Sequence, residues 1–264
     1  MIELINLNKL DKISLFNKSK NGVIMKYFVS SDIHGFYDEW IKALSDKGFD
    51  IKNPNHKIIV CGDLFDRGRQ SKEIINFILS NKNKFILIKG NHEDLMDKMI
   101  MRNENISVDI INGTVQTIID LYPGWLKYEF DLYKIARRTG LQDILDMCID
   151  YFETEHYIFV HGWIPYIENG FRYDKNWRNA SKEKWDKSRW TNPVLMYEHR
   201  VYEPNKTIVC GHHHCSALWH KFDPNQYEEF GEKENFEPFI TKDIIALDAS
   251  TSLSKKVNVV IIED

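Results

Sequence analysis

The sequence has few cysteines, no long hydrophobic run and little net charge. Its four cysteines, Cys61, Cys148, Cys210 and Cys215, form no C-x-x-C pair, so neither a disulfide framework nor a thiolate zinc site is expected. No segment reaches the roughly 18 apolar residues of a membrane-spanning helix. A net charge of -4 over 264 residues gives no global attraction to nucleic acid or to anionic membranes. We therefore expect a cytoplasmic protein without a stable nucleic-acid or membrane partner.

Beyond residue 22, apolar strand-like runs alternate with helical segments. Residues 1–22 are polar and weakly periodic, and we interpret them as an N-terminal extension of a domain at 23–264. Runs such as HKIIVCGD lead through polar loops to segments such as SKEIINFILSNK, which indicates an α/β sheet built from crossover units. Residues 104–153 read mostly helical and predict a helical insertion. The end, DIIALDASTSLSKKVNVVIIED, predicts two antiparallel strands joined by a polar turn.

Five apolar runs end in polar residues of a similar kind. These ends read SDIHG at 31–35, GDLFDRG at 62–68, GNHE at 90–93, HG at 161–162 and GHHH at 211–214. In an open α/β sheet the carboxyl ends of the strands lie along one edge, so the five loops should face a common crevice. That crevice would contain six candidate metal ligands: Asp32, His34, Asp63, Asn91, His161 and His212.

The chemistry of these side chains favours a pair of metal ions. Imidazole, carboxylate and amide ligands without cysteine suit Mn, Fe or Zn better than Ca or Mg. Six or seven ligands are too many for one ion, but they suit two ions about 3.5 to 4 Å apart, which can assist an in-line phosphoryl displacement. Asp63 can bridge two ions because its carboxylate has two oxygens. Each motif alone also fits a turn or a core histidine, but their recurrence at five strand ends favours the metal site.

In this order the motifs resemble the calcineurin-like metallophosphoesterase superfamily. GDLFDRG together with GNHE is similar to the serine/threonine phosphoprotein phosphatase branch, which includes bacterial and phage enzymes. The resemblance implies a four-layer α/β/β/α sandwich, here with a helical insertion, and a site for two divalent metals at one end of the central sheets. We expect Mn, with Fe, Zn or Ni as alternatives.

The resemblance also implies a role for each ligand. Asp32 and His34 would hold the first metal, and Asp63 would bridge the two ions. The second metal would be held by Asn91, His161 and His212. His214 departs from the phosphoprotein phosphatase pattern, but the wider superfamily often has GH-x-H, with the second histidine on the first metal. We therefore include His214 as a metal ligand.

Three further side chains are expected to act on the substrate. Arg67 has a planar fork that can bind two phosphate oxygens and stabilise charge in the transition state. By resemblance, His92 is the general acid that protonates the leaving alkoxide while a metal-bridging hydroxide attacks from the opposite side. Asp66 would orient His92 and keep it protonated. Asn91, as a ligand at the site, is also expected to contact the phosphate.

A second phosphate-binding arginine is common in the family between the last two histidine ligands. The candidates are Arg172, Arg178, Arg189 and Arg200. Arg189, beside Trp190 in SRWTNP, looks most like the family's tryptophan-containing segment, and a solvated surface charge is the alternative for all four. The same stretch contains Trp163, Trp177, Trp185 and Trp190. We interpret these tryptophans as core or lid residues, with stacking on a nucleobase as the alternative.

The predicted function is hydrolysis of phosphate monoesters by a dinuclear metal site, with phosphoserine or phosphothreonine in proteins as the leading substrate. The alternative is a hydrolase of dinucleoside polyphosphates such as diadenosine tetraphosphate. The expected partner is therefore a phosphorylated protein, a nucleotide or a small phosphoester. A nuclease or phosphodiesterase and a non-catalytic binding module also remain open. The DRG and GNHE pair argues against the nuclease, and the retained ligands with His92, Asp66 and Arg67 argue against the binding module.

Overall fold

Twelve β-strands are present in the part of the chain that the computed structural model describes, residues 24–104, 106–123 and 131–264. They are β1 Lys26–Ser30, β2 His56–Cys61, β3 Phe85–Ile88, β4 Cys148–Ile149, β5 Phe152–Glu153, β6 Tyr157–Phe159, β7 Tyr166–Ile167, β8 Arg172–Tyr173, β9 Thr207–Cys210, β10 Phe239–Ile240, β11 Ile244–Ala246 and β12 Val260–Glu263. Ten of them form two five-stranded sheets, ordered β12-β1-β2-β3-β4 and β10-β11-β9-β6-β5, and β7 pairs with β8. The predicted N-terminal extension, residues 1–22, lies outside the described residues.

Eleven α-helices connect these strands within the same described ranges. They are α1 Tyr37–Asp46, α2 Ser71–Ser80, α3 Asn91–Arg102, α4 Ser107–Asn112, α5 Thr114–Leu121, α6 Leu132–Thr139, α7 Leu141–Met147, α8 Lys182–Ser188, α9 Pro193–Glu198, α10 Cys215–Phe222 and α11 Thr251–Ser254. In the first sheet β1, β2, β3 and β4 run parallel. Because parallel strands need crossover connections, α1 and α2 follow β1 and β2 in the chain, as the alternating pattern predicts.

Three hydrophobic clusters show that the sheets and helices stack in four layers. Between the sheets, Val29 and Ile59 of the first sheet pack with Phe159 and Val209 of the second. The outer face of the first sheet packs against α1, α2, α3 and the helices that follow α3. The outer face of the second sheet packs against α8, α9 and α10. The predicted four-layer α/β/β/α sandwich is confirmed.

The C-terminal strands differ from the prediction of an antiparallel pair. β11 runs parallel to β9 in the second sheet, whereas β12 runs antiparallel to β1 at the edge of the first sheet. The intervening residues 247–259 include α11 and seven buried side chains: Leu247, Asp248, Ala249, Thr251, Val257, Asn258 and Val259. This segment is therefore a connection between sheets rather than a hairpin turn, since its side chains are buried between the two layers.

The stretch predicted as a helical insertion, residues 104–153, contains α4, α5, α6 and α7. Its last residues are not helical, because β4 joins the edge of the first sheet and β5 the edge of the second. The boundaries of the domain and of the insertion remain predictions. All four cysteines are free thiols. No helix in the described part of the chain combines the length and apolar character needed to cross a membrane.

Candidate metal centre

The loops after β1 and β2 are joined by main-chain hydrogen bonds at the predicted site. The N–H of Asp32 donates to the carbonyl of Gly62 at 3.0 Å, and the N–H of His34 donates to the carbonyl of Asp63 at 2.9 Å. Ile33, between the two candidate ligands, is fully buried in the core behind the sheet. Burial of this apolar side chain leaves its two neighbours to face the site.

Six residues of the site have left-handed backbone conformations. They are Asp32, His34, Asp63, Asp66, Arg67 and His212, with φ between 50° and 71°. Such conformations cost free energy for residues other than glycine, and they concentrate at functional sites. The tight loops therefore hold these side chains in fixed directions at the expense of local stability.

Close backbone approach explains two glycines in the motifs. A Cβ on Gly90 would lie 2.2 Å from Oδ1 of Asp63, and a Cβ on Gly211 would lie 2.1 Å from Oδ2 of Asp32. Both distances are far shorter than van der Waals contact. Any larger residue at either position would displace a candidate ligand.

Asp63 lies at the centre of the site and belongs to two separate groups of potential ligands. One group combines it with His34 and His92, and the other combines it with Asp32 and His161. Its Oδ2 is 3.6 Å from Nε2 of His34, and its Oδ1 is 3.3 Å from Nε2 of His161. One carboxylate oxygen thus faces each side, which is the arrangement that a bridging ligand requires.

The histidine rings present lone pairs to this centre. Nδ1–H of His34 donates to the carbonyl of Phe65 at 2.9 Å, and Nδ1–H of His161 donates to the carbonyl of Cys61 at 2.7 Å. Metal-binding histidines characteristically use their second nitrogen in this way, which fixes the tautomer and the ring orientation. Nε2 of both rings therefore carries the lone pair with which the ring can bind a metal.

Asn91 brings a further oxygen into contact with two imidazoles. Its Oδ1 is 2.7 Å from Nε2 of His161 and 2.9 Å from Nδ1 of His212, whose ring also hydrogen-bonds to the main chain of Trp190. With the proton of His161 on Nδ1, the contact to Nε2 joins two acceptors. A cation between them would relieve this repulsion, so the side chains fit a metal ion.

Electrostatics at the centre also favour cations. Burial, followed by the neighbouring carboxylates of Asp248 and Asp63, raises the pKa of Asp32 well above its ordinary value. Burial lowers the pKa of His34, of His161 and, to about 3, of His212. The histidines are therefore neutral ligands, and divalent ions would offset the mutual repulsion of the carboxylates.

His92 and Asp66 form a buried pair next to these ligands. Nδ1–H of His92 donates to Oδ2 of Asp66 at 2.7 Å, and Asp66 also accepts hydrogen bonds from Oγ1 of Thr114 at 2.9 Å and Oγ1 of Thr117 at 2.7 Å. Burial lowers the pKa of His92, but the carboxylates of Asp63 and Asp66 raise it above its ordinary value overall. The two threonines belong to α5, so this helix helps to orient the pair.

Arg67 reaches the same side of the site. Its Nη1 donates to Nε2 of His34 at 2.9 Å, and its Nη2 is 3.4 Å from Nε2 of His92. The guanidinium therefore lies next to one candidate metal ligand and the candidate general acid. In the described part of the chain its contacts at the site are with imidazoles rather than with a carboxylate partner.

Arg189 is buried away from solvent and paired with acids. Its Nη1 donates to Asp186 at 2.6 Å and lies 3.7 Å from Asp94, and its Nη2 donates to Asp150. Its side chain is only 6% exposed, so it is not a solvated surface charge. The structure pairs Arg189 with these carboxylates, and its charge also helps to lower the pKa of the candidate ligand His161, so its role as a phosphate ligand stays a prediction.

His214 belongs to a different group of potential ligands. Its Nδ1 is 2.9 Å from Oγ of Ser216, and its Nε2 is 3.4 Å from Glu229. Among the described residues it groups with His213 and Glu229 and not with Asp32. His214 directly precedes α10, and its ring contacts the hydroxyl of Ser216 in the first turn of that helix.

The four tryptophans of the stretch divide into two classes. Trp163, Trp177 and Trp185 are buried in the second core, as expected for core residues. Trp190 is 46% exposed, and its ring centroid is 6.0 Å from that of His212. It also lines a cavity of about 440 Å³ together with Tyr166, Lys184, Lys187 and other residues.

Two acidic residues of the site were not predicted from the sequence. Glu93 is fully buried and accepts hydrogen bonds from the N–H groups of Asp63, Leu64 and Gly90, which fastens the loop after β2 to the start of α3. Asp248 interacts electrostatically with Asp32, and burial raises its pKa to about 6. The sequence signal that could have identified Asp248 is DIIALD, a further apolar run that ends in a carboxylate.

Comparisons with known proteins agree with this geometry. A family model described as calcineurin-like phosphoesterase matches residues 25–240. The zinc-dependent endopolyphosphatase of Saccharomyces cerevisiae is 31% identical over 239 residues, which cover 78% of this chain and 70% of that protein. The asymmetrical bis(5'-nucleosyl)-tetraphosphatase PrpE of Bacillus subtilis is 33% identical over 105 residues, which cover 37% of this chain and 42% of PrpE.

A solved structure of a protein serine/threonine phosphatase from Saccharomyces cerevisiae superimposes with a TM-score of 0.47 at 16% identity, covering 74% of this chain and 62% of that one. The family model spans most of the sequence, including all five motif loops. The chain therefore belongs to the calcineurin-like phosphoesterase family and is a hydrolase of phosphoester bonds.

Proposed function

We propose that the chain hydrolyses phosphate monoesters with two divalent metal ions, and that phosphoserine or phosphothreonine in proteins is its leading substrate class. The observation that carries this proposal is the position of Asp63, which belongs to two ligand groups beside the His92–Asp66 pair. Mn is the metal that we favour, with Fe, Zn and Ni as alternatives. A cytoplasmic location remains a prediction from composition.

The ligand sets follow from the contacts at the centre. Asp32, His34 and Asp63 would hold the first ion. The second ion would be held by Asp63, Asn91, His161 and His212. When bound, two such ions activate a water molecule and neutralise the charge of the phosphate. The carbonyls of Phe65 and Cys61 keep the rings of His34 and His161 oriented toward the ions.

His92 would supply the proton for the leaving group. Its Nδ1–H is held by Asp66, so its Nε2 faces the site and can carry the proton to be transferred. The raised pKa of His92 keeps that proton bound above the pH at which an ordinary imidazole loses it. As the leaving oxygen departs from phosphorus, His92 would donate this proton and prevent formation of a free alkoxide.

Arg67 would bind two non-bridging oxygens of the phosphate. Its guanidinium is already directed to the site by contacts with His34 and His92. Because these contacts are with imidazoles, an incoming phosphate dianion would be a far stronger partner for the cation. The fork geometry would hold the phosphorus with its leaving group toward His92.

The test is hydrolysis of para-nitrophenyl phosphate by metal-stripped protein, with Mn, Ni, Zn or Mg added back, beside an Asp63→Asn variant. Turnover should need added metal, and Asp63→Asn should lose both turnover and bound metal, since it removes a bridging charge. Asp46→Asn, at the exposed C-terminal end of α1, is the matched control, because it removes the same carboxylate charge outside the site. Folded protein that shows no turnover with any of the added metals would refute the proposal.

A second candidate is hydrolysis of dinucleoside polyphosphates. It is favoured by the cavity beside Trp190, where an exposed indole suits a nucleobase. A relative named as a bis(5'-nucleosyl)-tetraphosphatase supports the same substrate class. Phosphopeptides, diadenosine tetraphosphate and linear polyphosphate should be compared side by side. Higher kcat/KM for the dinucleotide, lost in Trp190→Ala, would select this candidate over the first.

A further inference from the structure

A second cluster of potential ligands lies beside the candidate dimetal site. The side chains of His213, His214 and Glu229 place one ligand atom each within 4.8 Å of one another. The two rings have centroids 4.6 Å apart, and Nε2 of His214 is 3.4 Å from Oε1 of Glu229. All three residues are partly buried. Two imidazoles and a carboxylate are a common protein ligand set for a transition metal.

The surroundings of His214 resemble those of a metal ligand. Its Nδ1 is 2.9 Å from Oγ of Ser216, a hydroxyl that can accept Nδ1–H and leave the Nε2 lone pair facing Glu229. A lone pair and a carboxylate oxygen repel each other unless a cation lies between them. The ring is further held by Phe230, whose centroid is 4.8 Å away. The side chain is therefore oriented by one polar and one aromatic neighbour.

His213 adds an imidazole with its ring directed to the same place. The hydrogen bonds found within the described ranges involve its main-chain N–H, which donates to Gly211, but not its ring nitrogens. A partly buried ring without a protein partner can offer either nitrogen to an ion. This cluster is therefore the strongest group of metal-ligating side chains outside the site around Asp63.

We propose that His213, His214 and Glu229 bind a third divalent cation of the zinc class, separate from the two ions of the phosphoesterase site. Imidazole ligands favour Zn, Ni or Cu over Mg and Ca. With three protein ligands, at least one coordination position would remain open to water or to an anion. The ion would bind at the rim of the site, because His213 and His214 directly follow the ligand His212.

This ion would attach one surface segment to the loop that carries His212. Glu229 lies in the connection between α10 and β10, residues 223–238, whereas the two histidines lie between β9 and α10. The connection is largely exposed and has little regular structure in the described chain. A shared metal would fix it against the loop, since each ligand bond restricts both segments at once.

The experiment counts zinc by elemental analysis after apo protein is loaded with Zn²⁺ and desalted. The wild-type chain should retain about three ions, and Glu229→Gln should retain about two, because the amide is a much weaker ligand. Glu232→Gln is the matched control, since it changes the same charge at an exposed position of the same connection. Hydrogen exchange in residues 223–238 should slow with Zn²⁺ in the wild type and in Glu232→Gln but not in Glu229→Gln.

An Asp63→Asn background separates this site from the phosphoesterase site. That variant should keep about one zinc ion, and the ion should disappear when Glu229→Gln is added. Equal zinc content in Glu229→Gln and Glu232→Gln on both backgrounds would overturn the third site. Loss of zinc in His214→Ala but not in Glu229→Gln would instead assign His214 to the first metal, which also overturns it. Neither result depends on turnover.

Discussion

Two arginines with the same predicted role, Arg67 and Arg189, have opposite environments. Arg67, in the loop after β2, is exposed, donates to Nε2 of His34 and lies 3.4 Å from Nε2 of His92. Arg189, at the end of α8, is buried and donates to Asp186 and Asp150. Both were predicted to bind phosphate. The neighbouring side chains distinguish the two: Arg67 contacts imidazoles and can bind an anion, whereas the charge of Arg189 is already neutralised by carboxylates.

The comparison extends from the arginines to the two sides of the site. The loop of residues 62–68 has left-handed backbone conformations and carries Asp66 and Arg67; Asp66 forms a buried pair with His92 at the start of α3, and Arg67 hydrogen-bonds to imidazole. Residues 186–190 instead connect layers of the fold, since Arg189 lies 3.7 Å from Asp94 in α3 and binds Asp150 between β4 and β5. We therefore expect the residues of the first side to act on the substrate. Residues 186–190 are expected to stabilise the position of α3.

The largest effect is expected for His92→Asn. Loss of the general acid should reduce kcat by about 10³-fold for a phosphoserine peptide, whose alkoxide leaving group needs a proton. The loss should be clearly smaller for para-nitrophenyl phosphate, because para-nitrophenolate leaves readily without protonation. The decline in wild-type activity as the pH rises through the pKa of His92 should also vanish. Steady-state kinetics with both substrates between pH 5 and 9 measures this.

His220→Asn is the control for this prediction, because His220 is an exposed histidine whose ring bonds to the carbonyl of Tyr227. Bound metal in His92→Asn should match that of the wild type, which separates proton donation from ligand loss. An equal fold reduction for both leaving groups would mean that His92 does not protonate the leaving oxygen.

The second prediction compares the effects on kcat/KM of replacing each of the two arginines by lysine. Arg67→Lys should lower kcat/KM by about 10²-fold, because an ammonium cannot bind two phosphate oxygens in a fork. Arg189→Lys should change kcat/KM by less than about threefold, since the ammonium can still neutralise part of the acidic group without touching the substrate. Both variants are assayed well below their unfolding temperatures. Similar losses in the two variants would return Arg189 to the phosphate site.

Stability should show the reverse order. Arg189→Met leaves Asp94, Asp150 and Asp186 without their shared cation, so the free energy of unfolding should fall by about 3 kcal/mol. Arg67→Met should change it by less than about 1 kcal/mol, because Arg67 is exposed and its partners are imidazoles rather than carboxylates. Urea unfolding followed by tryptophan fluorescence compares the two. A larger loss of stability for Arg67→Met would contradict the assignment of the two environments.

The strand-end motifs predicted an α/β sheet and the loops that meet at the site, because each motif follows an apolar strand directly, whereas the four layers were implied by the resemblance to the family. The sequence did not predict Thr114 and Thr117, whose contacts with Asp66 depend on how α5 packs over the loop after β2. It predicted the two C-terminal strands but not their partners, since two apolar runs of similar character can pair with each other or with strands of different sheets. Local patterns specify the ends of strands, but the partners across layers depend on packing.

The surroundings of Arg189 illustrate the same limit for the site. SRWTNP contains no acid, and the carboxylates that bind Arg189 come from positions 94, 150 and 186. Two of these are far away in the sequence, so the pattern around the arginine contained no information about them. Asp248 is the opposite case, because it ends an apolar strand in the same manner as the recognised ligands.

The smallest effect is expected for a third arginine, Arg178, which is neutralised by acids as Arg189 is. Arg178 donates from Nε and Nη2 to the two oxygens of Glu153 at 2.9 and 2.7 Å, and Lys206 adds a third contact at 3.0 Å. The hydrogen bonds from Arg178, aided by Lys206, lower the pKa of Glu153 from 4.5 to about 2, although burial opposes the shift. The pair therefore stabilises the fold fully above about pH 4.5, and the stabilisation disappears as the pH falls toward 2.

Glu153→Gln should consequently lower the free energy of unfolding by about 1 kcal/mol at pH 7, a value reduced for the 29% exposure of the glutamate side chain. The difference between wild type and variant should shrink between pH 4.5 and 2.5, because the wild-type carboxyl then also becomes neutral. Urea unfolding of both proteins at several pH values measures that difference, in which the common acid unfolding of other carboxylates cancels. A difference that stays constant with pH would show that Arg178 gains nothing from the charge of Glu153, and the contrast with Arg67 would then rest on Arg189 alone.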